Sequence, residues 1–356
     1  MKLRLIPACL LLCFCAAARQ PYMDRWRAVA DRLITTPPES YPFNWGEGVQ
    51  LIGLMKIHER TRDARYADYV EKWAARFDAA AAGRILREGL NPPRSRAGYC
   101  GHWSPATALF YLDRVRRKPE HLRIAEEVIG YIRNTAERSP EGALGHWQGS
   151  HQLWVDTLYM ACPLLAAFGS PDEAARQVIL FARPLQDEKT GLFYHMWDWQ
   201  TRQRSPDLWG RGNGWVLMSI ADSFDGLRKK HPQYRELKAI AEKLARGLQT
   251  TQDADGLWHT VMNDHTAYAE SSATMMVTYG LLKLVRLKIL PRAYREPALR
   301  AWKAVNEKYV KDGVVTGVSA GTGPGDRASY IARAVGTETW GTGAYLMAGS
   351  EVDRLK

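Results

Sequence analysis

Apolar residues recur at three- and four-residue spacing along almost the whole chain after its first twenty residues, and the strict alternation typical of half-buried strands is scarce. This periodicity predicts twelve helices that follow one another as six pairs, at an irregular period of roughly 50 to 70 residues. The predicted pairs are 23–35 with 47–60, 64–82 with 105–117, 120–137 with 152–168, 172–186 with 214–229, 234–250 with 271–287, and 294–310 with 341–350. The pattern therefore predicts an all-α protein.

The two helices of each predicted pair differ in how their polar residues are distributed. The first is amphipathic and rich in charges, as an outer helix would be, whereas the second is apolar on most of its faces and predicts burial. Residues 153–165 are the clearest buried case, and Pro163 is expected to kink that helix or to mark a local break. Six outer and six inner helices can close into an (α/α)6 barrel of six helical hairpins. No linker interrupts residues 19–356, which predicts one domain; two separate helical domains are the alternative.

The loops that precede the inner helices would line one end of such a barrel, and they hold many glycines and aromatic residues. In residues 206–215 three glycines allow unusual backbone angles, and Asn213 is predicted to cap the next helix. Trp209 and Trp215 offer flat faces for a sugar ring, and Arg211 offers a planar fork that suits a carboxylate. These residues indicate a pocket for a ring carrying an acid group. The alternative is a helix connection with packed tryptophans and a solvated arginine.

Asp156 is the leading candidate for catalytic chemistry. It stands early in a predicted inner helix among apolar neighbours, and desolvation would raise its pKa toward that of a general acid. A nearby helix N-terminus would lower the pKa instead, so the net direction is open. The alternative is a buried aspartate paired with an arginine for structural reasons.

Further polar candidates lie in the same layer of loops. His146 and His195 could contact a ligand, and His195 lies in a dense aromatic segment, but single histidines usually serve packing or hydrogen bonding. Glu47 and Glu338 open inner helices, where a carboxylate usually stabilises the helix dipole. These two glutamates are therefore weaker candidates for substrate contact.

Composition narrows the classes of function. The net charge of +11 is scattered and forms no basic arm, so no nucleic-acid partner is expected; it indicates mild attraction for acidic ligands, or simply solubility. Thirteen tryptophans and sixteen tyrosines are compatible with a carbohydrate groove. The chain has no zinc-type spacing of cysteines and histidines, no phosphate loop, no dinucleotide fingerprint and no nucleophile motif. Acid–base chemistry on a sugar, without a metal or cofactor, is what remains.

The first residues have the organisation of an export signal. Lys2 and Arg4 precede the apolar run 5–14, and the alanines 16–18 provide a cleavage site. The run is too short for a permanent membrane anchor. The sequence therefore predicts a signal peptide over residues 1–18 and an exported protein, either periplasmic or secreted. Three of the five cysteines leave with that peptide, so no disulfide framework is expected.

Several segments, in this order, resemble the unsaturated rhamnogalacturonyl hydrolases, glycoside hydrolase family 105, which are related to the unsaturated glucuronyl hydrolases of family 88. Residues 209–215 are similar to the family's WxRGNGW signature, residues 152–160 to its QxWxDxLYM segment, and residues 193–198 to its YHxWD segment. The similarity runs from about Tyr41 to Glu351. The fold that it implies, a six-hairpin (α/α)6 barrel, agrees with the helix pattern.

The resemblance implies an unusual hydrolysis. Polysaccharide lyases leave a C4=C5 double bond in the terminal uronic acid, and these hydrolases hydrate that vinyl ether, after which the sugar opens and the rest of the oligosaccharide is released. No metal or cofactor is implied. The family's general acid/base corresponds to Asp156, its stacking tryptophans to Trp209 and Trp215, and its active-site arginine to Arg211. His195 matches a substrate-contacting histidine, and His146 matches another approximately.

One departure from the family pattern concerns residues 99–105. The family's second active-site aspartate is expected near Gly101 and is absent, and Ser104 replaces the usual asparagine. His102 is the candidate for the missing polar contact. The first expectation for the substrate is an unsaturated rhamnogalacturonan oligosaccharide from pectin, and the second is another uronate-containing glycan. A non-catalytic binding protein and a sugar epimerase or isomerase on the same barrel are the remaining alternatives.

Overall fold

The computed structural model describes residues 21–91 and 95–355, so the predicted signal peptide lies outside the described residues. The described part of the chain is mostly helical, with a few short strands. Its helices are α1 (Met23–Leu33), α2 (Trp45–Thr61), α3 (Ala64–Ala74), α4 (Ala79–Glu88), α5 (Ser104–Arg116), α6 (Pro119–Asn134), α7 (Asp156–Ala167), α8 (Pro171–Leu185), α9 (Gly210–Ser223), α10 (Pro232–Thr251), α11 (Ser271–Arg286), α12 (Arg295–Lys308), α13 (Arg327–Ile331) and α14 (Thr339–Asp353).

Six helices form a closed inner ring. In the order α2, α5, α7, α9, α11 and α14 each packs on the next, and α14 packs back on α2. Every residue of α9 is buried, as expected for a helix surrounded by neighbours on all sides. The predicted (α/α)6 barrel is therefore confirmed.

The outer layer consists of amphipathic helices that cover the ring. Helices α1, α3, α6, α8, α10 and α12 each pack against inner helices, and α4 adds a further layer against α6. The predicted helix 64–82 is in fact two helices, α3 and α4. Helix α4 starts anew after Asp78, which is its N-cap. The Asp78 carboxylate accepts a hydrogen bond from the Ala81 N–H at 2.6 Å. No helix in residues 21–91 or 95–355 is long and apolar enough to cross a membrane.

Short strands connect the helices at one end of the barrel. They are β1 (Gln152–Trp154), β2 (Met196–Asp198), β3 (Gln203–Arg204), β4 (Val310–Lys311), β5 (Val314–Val315), β6 (Val318–Ser319) and β7 (Val335–Gly336). The first three form an antiparallel sheet in which Gln152 lies opposite Asp198 and Trp154 opposite Met196. Residues 152–154 were predicted to be helical, but they pair with β2, so α7 begins only at Asp156.

The glycine-rich stretch was predicted to be a loop, and it is helical instead. Helix α9 begins at Gly210, and its glycines are needed for close packing rather than for a turn. A Cβ atom on Gly210 would lie 2.1 Å from the carbonyl oxygen of His259. Asn213 is not the N-cap: its side chain accepts from the Phe193 N–H at 2.7 Å and donates to the Phe193 and Trp209 carbonyls. Helix α7 continues through Pro163 to Ala167.

Candidate active site

A cavity of about 410 Å³ lies at the end of the barrel where the inner helices begin, a size typical of small-molecule sites. It is lined by Asn44, Trp45, Ser95, Arg96, Tyr99, Cys100, His146, Trp147, Trp154, Asp156, Met160, Arg211, Gly321, Thr322 and Gly323. Most of these residues stand in the loops before α2, α5 and α7, and the last three belong to the segment between β6 and β7. The prediction that these loops meet at one end of the barrel is thus confirmed.

A larger cavity of about 870 Å³ opens at the opposite end of the barrel. Its charged groups are largely engaged with one another: the buried Lys283 ammonium lies 2.6 Å from both the Asp222 and Asp225 carboxylates. Such a paired network stabilises the ends of packed helices. The smaller cavity, which contains Asp156, is therefore the candidate active site.

Asp156 is held in the cavity by a histidine that follows it by 39 positions in the sequence. It is the first residue of α7, its side chain is 19% exposed, and its Oδ2 atom lies 3.1 Å from Nε2 of His195. The pairing of β1 with β2 brings the two together, because the Val155 N–H donates to the His195 carbonyl at 3.0 Å. The sheet thus fixes the position of the carboxylate in the cavity.

Tyr330 is the hydrogen-bond partner of the second ring nitrogen of His195. The Tyr330 hydroxyl oxygen lies 3.1 Å from Nδ1 of His195 and accepts a hydrogen bond from the Gly325 N–H. A hydroxyl that accepts there can give its own proton to Nδ1, which leaves the hydrogen of the neutral ring on Nε2. His195 then donates to the Asp156 carboxylate. The histidine ring also stacks on Trp209, with the ring centroids 4.1 Å apart.

The environment of this pair favours an ionised aspartate and a neutral histidine. Burial lowers the pKa of His195 below its usual value, against the opposing effect of Asp156. Burial raises the pKa of Asp156, but the interactions with His195, His146 and Arg211 outweigh it, so the pKa lies below the usual value for aspartate. We attribute this lowering chiefly to the Nε2–H hydrogen bond and the Arg211 charge, since His195 itself is neutral. The sequence left open whether the pKa of Asp156 is raised or lowered, and in the structure it is lowered.

His146 lines the cavity, as predicted, but its Nδ1 atom is occupied by the protein. Nδ1 lies 2.9 Å from the Thr157 hydroxyl and 3.2 Å from the Cys100 sulfur, and the ring stacks on Trp154 at 4.1 Å. Burial lowers the pKa of His146 to about 3, so it is neutral at physiological pH. Burial also raises the pKa of the Cys100 thiol far above its usual value, so that group remains protonated. Both side chains act as neutral hydrogen-bonding groups beside Asp156.

His102 lies behind the cavity lining, and its predicted contact with the substrate stays a prediction. It is fully buried, its Nε2 atom is hydrogen-bonded to the Ser95 hydroxyl at 3.0 Å, and it is not among the residues that line the cavity. Burial lowers its pKa to about 4. In residues 99–105 the cavity is lined by Tyr99 and Cys100 instead. A neutral thiol therefore stands close to the position where the resemblance placed a second carboxylate.

Arg211 lines the cavity, but its fork binds the protein itself. Nη1 donates to the Ser319 carbonyl at 2.8 Å and to the Ser319 hydroxyl, and Nη2 donates to the Ala320 carbonyl at 2.9 Å and to the Thr322 hydroxyl at 3.1 Å. The buried Glu270 carboxylate lies 3.9 Å away and accepts the Ser319 N–H. Arg211 thus holds residues 319–322, which lead into the cavity wall. The predicted clamp on a substrate carboxylate stays a prediction.

The two tryptophans predicted to stack on the sugar lie outside the lining. Trp209 is 1% exposed and packs on His195 and on the Arg211 guanidinium, while Trp215 is fully buried and stacks on Tyr159. The indole rings that line the cavity are instead those of Trp45, Trp147 and Trp154. All three precede or open inner helices, so their position in the loops was a usable signal. Substrate stacking on Trp209 and Trp215 stays a prediction.

Tyr330 and the glycine-rich segment 321–323 were not among the candidates predicted from the sequence. Both lie in an aperiodic region between β6 and β7, where only long-range contacts bring them to the site.

In the described residues, no group of three or more histidine, cysteine, aspartate or glutamate side chains has an arrangement that could hold a metal ion.

Comparison with known proteins places this geometry in context. The model of the family described as Glycosyl Hydrolase Family 88 matches residues 22–356. The chain is 27% identical over 314 residues to the unsaturated rhamnogalacturonyl hydrolase YesR of Bacillus subtilis, covering 84% of this chain and 86% of that protein. It is also 27% identical over 347 residues to an unsaturated 3S-rhamnoglycuronyl hydrolase of Formosa agariphila, covering 88% and 85% of the two chains.

Solved structures share the fold. A glycoside hydrolase from family 105 of C. acetobutylicum superposes with a TM-score of 0.81 at 27% identity, covering 92% of this chain and 99% of that one. An unsaturated glucuronyl hydrolase specific for heparin superposes with a TM-score of 0.69 at 15% identity, covering 93% and 96% of the chains. At that identity the second comparison supports the fold alone.

Proposed function

This chain belongs to glycosyl hydrolase family 88, and on that premise we propose that it removes a Δ4,5-unsaturated uronic acid from the non-reducing end of oligosaccharides released by polysaccharide lyases. As a glycoside hydrolase it cleaves a bond between sugars. The proposed route is hydration of the C4=C5 vinyl ether of the terminal ring rather than displacement at its anomeric carbon. The observation that supports it is one carboxyl group, Asp156, in a cavity where the described lining residues include no second carboxylate.

The first step is protonation of C4. Asp156 rests as a carboxylate, so it must take up a proton before it can act as an acid. A bound uronate brings a second negative charge into the cavity and displaces water, and both effects raise the pKa of Asp156. The protonated carboxyl then transfers its proton to C4, and positive charge develops at C5 and the ring oxygen.

The second step is addition of water to C5. The Asp156 carboxylate left by the first step accepts a proton from the attacking water, and the water oxygen bonds to C5. The product is a hemiketal at C5, and its ring opens to a ketone at C5 and a hemiacetal at C1. The hemiacetal then collapses to an aldehyde and releases the shortened oligosaccharide as an alcohol. One water is consumed and Asp156 recovers its proton, so one carboxyl group serves as acid and then as base. His195 holds the carboxylate in place through both steps.

An assay on lyase-generated oligosaccharides tests the proposal. Loss of the ultraviolet absorbance of the double bond, together with release of a shortened oligosaccharide, is the expected result. Asp156→Asn keeps the size of the side chain but cannot donate a carboxylic proton, and kcat should fall by about 10²- to 10⁴-fold. Circular dichroism should show that the variant remains folded and calorimetry that it still binds. Turnover by the variant at the parent rate would remove Asp156 from the mechanism.

The substrate proposed first is an unsaturated rhamnogalacturonan oligosaccharide derived from pectin. The support is the similarity to YesR, which is named an unsaturated rhamnogalacturonyl hydrolase. The relative from Formosa agariphila is named for a 3S-rhamnoglycuronyl substrate, so a sulfated rhamnose-linked uronate is the second candidate. Relative kcat/KM values on the two oligosaccharides decide between them.

We also propose that the protein is exported to the periplasm or secreted. The support is the basic start and the apolar run within residues 1–18, followed by three alanines. Protein purified from its native host should begin near Arg19 or Gln20 when its N-terminus is sequenced. Cytosolic protein that retains Met1 would contradict the proposal.

A further inference from the structure

Arg96 is an exposed cation at the rim of the cavity. Its guanidinium carbon lies 4.7 Å from the centroid of the Trp147 ring, and both residues line the cavity. In the described part of the chain, no carboxylate forms an ion pair with Arg96. A guanidinium that stacks on an indole face keeps the edge with its N–H groups free. That edge is available to a ligand.

The other cation in the lining cannot play this part. Both Nη atoms of Arg211 already donate to the segment 319–322, and its side chain is 1% exposed. Asp156 is the one acid that lines the cavity in the described residues. The rim therefore carries an unengaged positive charge, whereas the interior carries the reactive carboxylate.

A line of aromatic rings connects Asp156 to Arg96. Trp154 precedes Asp156 by two residues, and the Trp147 ring packs edge-on against the Trp154 ring with centroids 5.1 Å apart. Arg96 packs on the Trp147 ring and is exposed. With C4 of the terminal ring at Asp156, the row of rings gives the rest of the oligosaccharide a path to solvent along Trp147 and Arg96.

We propose that Arg96 and Trp147 form a subsite for an anionic group, a carboxylate or a sulfate ester, on the leaving part of the substrate. This inference rests on the proposed function, because it takes the terminal unsaturated ring to be bound at Asp156. The planar fork of arginine pairs with two oxygens of such a group, and the Trp147 ring holds the guanidinium in position from one side. The subsite would make the enzyme selective for acidic oligosaccharides.

Three oligosaccharides with the same unsaturated terminal uronate test the subsite. The first has a neutral leaving sugar, the second has a sulfate ester on that sugar, and the third continues into a second uronate. Arg96→Gln should raise KM by about 5- to 20-fold on the second, the third or both, with kcat little changed and with no effect on the neutral substrate. The substrate that is affected identifies the anion as a sulfate or a carboxylate. The difference from the parent should shrink as salt is added.

Arg204 provides a matched control. It is also exposed, and its guanidinium carbon lies 4.0 Å from the centroid of the Tyr194 ring, but it does not line the cavity. Arg204→Gln should leave all three KM values unchanged, which would exclude a general effect of lowering the net charge.

Two results would overturn the subsite. An equal loss on all three substrates would mean that Arg96 binds the terminal uronate itself, and no loss on any of them would mean that Arg96 binds no part of the substrate. Calorimetric Kd values for the same three compounds give the same comparison without turnover. If the parent binds them but does not consume the double bond, the proposed function fails while the subsite is still tested.

Discussion

Replacement of Arg211 by lysine separates two roles for this residue that the sequence cannot distinguish. Arg211→Lys keeps a positive charge beside Glu270 but loses the planar fork. If Arg211 clamped a substrate carboxylate, the substitution would weaken binding and leave stability unchanged. The structure instead places both Nη atoms on residues 319–322, so the main expected effect is on the protein itself.

The magnitude follows from the hydrogen bonds that are lost. A lysine ammonium reaches only part of this set: if it keeps the bond to the Ser319 carbonyl, the Ala320 carbonyl loses its charged donor and retains the Thr322 hydroxyl. The loss of a hydrogen bond from a charged donor costs about 1.5 to 3 kcal/mol. We expect the free energy of unfolding to fall by about 2 to 4 kcal/mol. Because residues 321–323 line the cavity, kcat should fall as well.

Urea unfolding followed by circular dichroism, together with steady-state kinetics, checks this expectation. Arg327→Lys is the control, because Arg327 also pairs through its fork, with Asp264 and Thr266, but at the exposed end of the same segment. The control should change stability by less than about 1 kcal/mol. Unchanged stability of Arg211→Lys with a raised KM alone would refute the positioning role and restore the substrate clamp.

Two further predictions concern the carboxylate and its partners. The pKa of Asp156 is lowered in the free enzyme and the reaction needs its protonated form, so kcat/KM should fall as pH rises above that pKa. Bound uronate raises the pKa of Asp156, so kcat should persist to higher pH than kcat/KM. A pH profile in which kcat/KM rises from pH 4 to pH 7 would contradict this prediction. Tyr330→Phe removes the hydroxyl beside His195, so kcat should fall by about 10-fold or more and the alkaline limb of kcat/KM should move upward. Tyr268→Phe, which loses a bond to the Tyr330 carbonyl but does not touch the His195 ring, should leave the position of that limb unchanged. Identical profiles for the two variants would exclude the positioning role of Tyr330.

Local patterns predicted the fold well because the feature that they report is itself local. Whether a helix is apolar on one face or on most faces follows from its own residues, and this alone assigned the inner and outer layers. The start of α9 was misplaced because three glycines read as a loop. The contact that requires glycine is distant in the sequence. A Cβ atom on Gly214 would lie 2.7 Å from the Cβ atom of Met276, on a helix some sixty residues further along the chain.

The site was predicted in part for the same reason. Asp156 and His195 lie within hydrogen-bond distance and His146 lines the same cavity, each from a segment of unusual composition next to an inner helix, and their predicted roles toward the substrate stay predictions. The type of a tryptophan does not reveal which of its faces is already covered, so Trp209 and Trp215 were preferred over Trp154, which lines the cavity. In residues 99–105, a shift of one or two positions decides which side chain reaches the cavity. Cys100 lines it, whereas His102, which the sequence favoured, does not.

The central claim is that water adds across C4=C5 of the terminal ring, and the fate of the proton at C4 tests it most directly. The parent enzyme is incubated in deuterium oxide with an unsaturated rhamnogalacturonan disaccharide, and the uronate product is examined by nuclear magnetic resonance and mass spectrometry. Proton transfer from Asp156 predicts that, at early times, the double bond disappears no later than rhamnose is released and that one deuterium enters a single face of C4. Release of rhamnose ahead of the loss of the double bond, with deuterium on both faces of C4, would contradict the mechanism, because an unsaturated uronate set free by cleavage at its anomeric carbon opens to an enol that ketonises in solution.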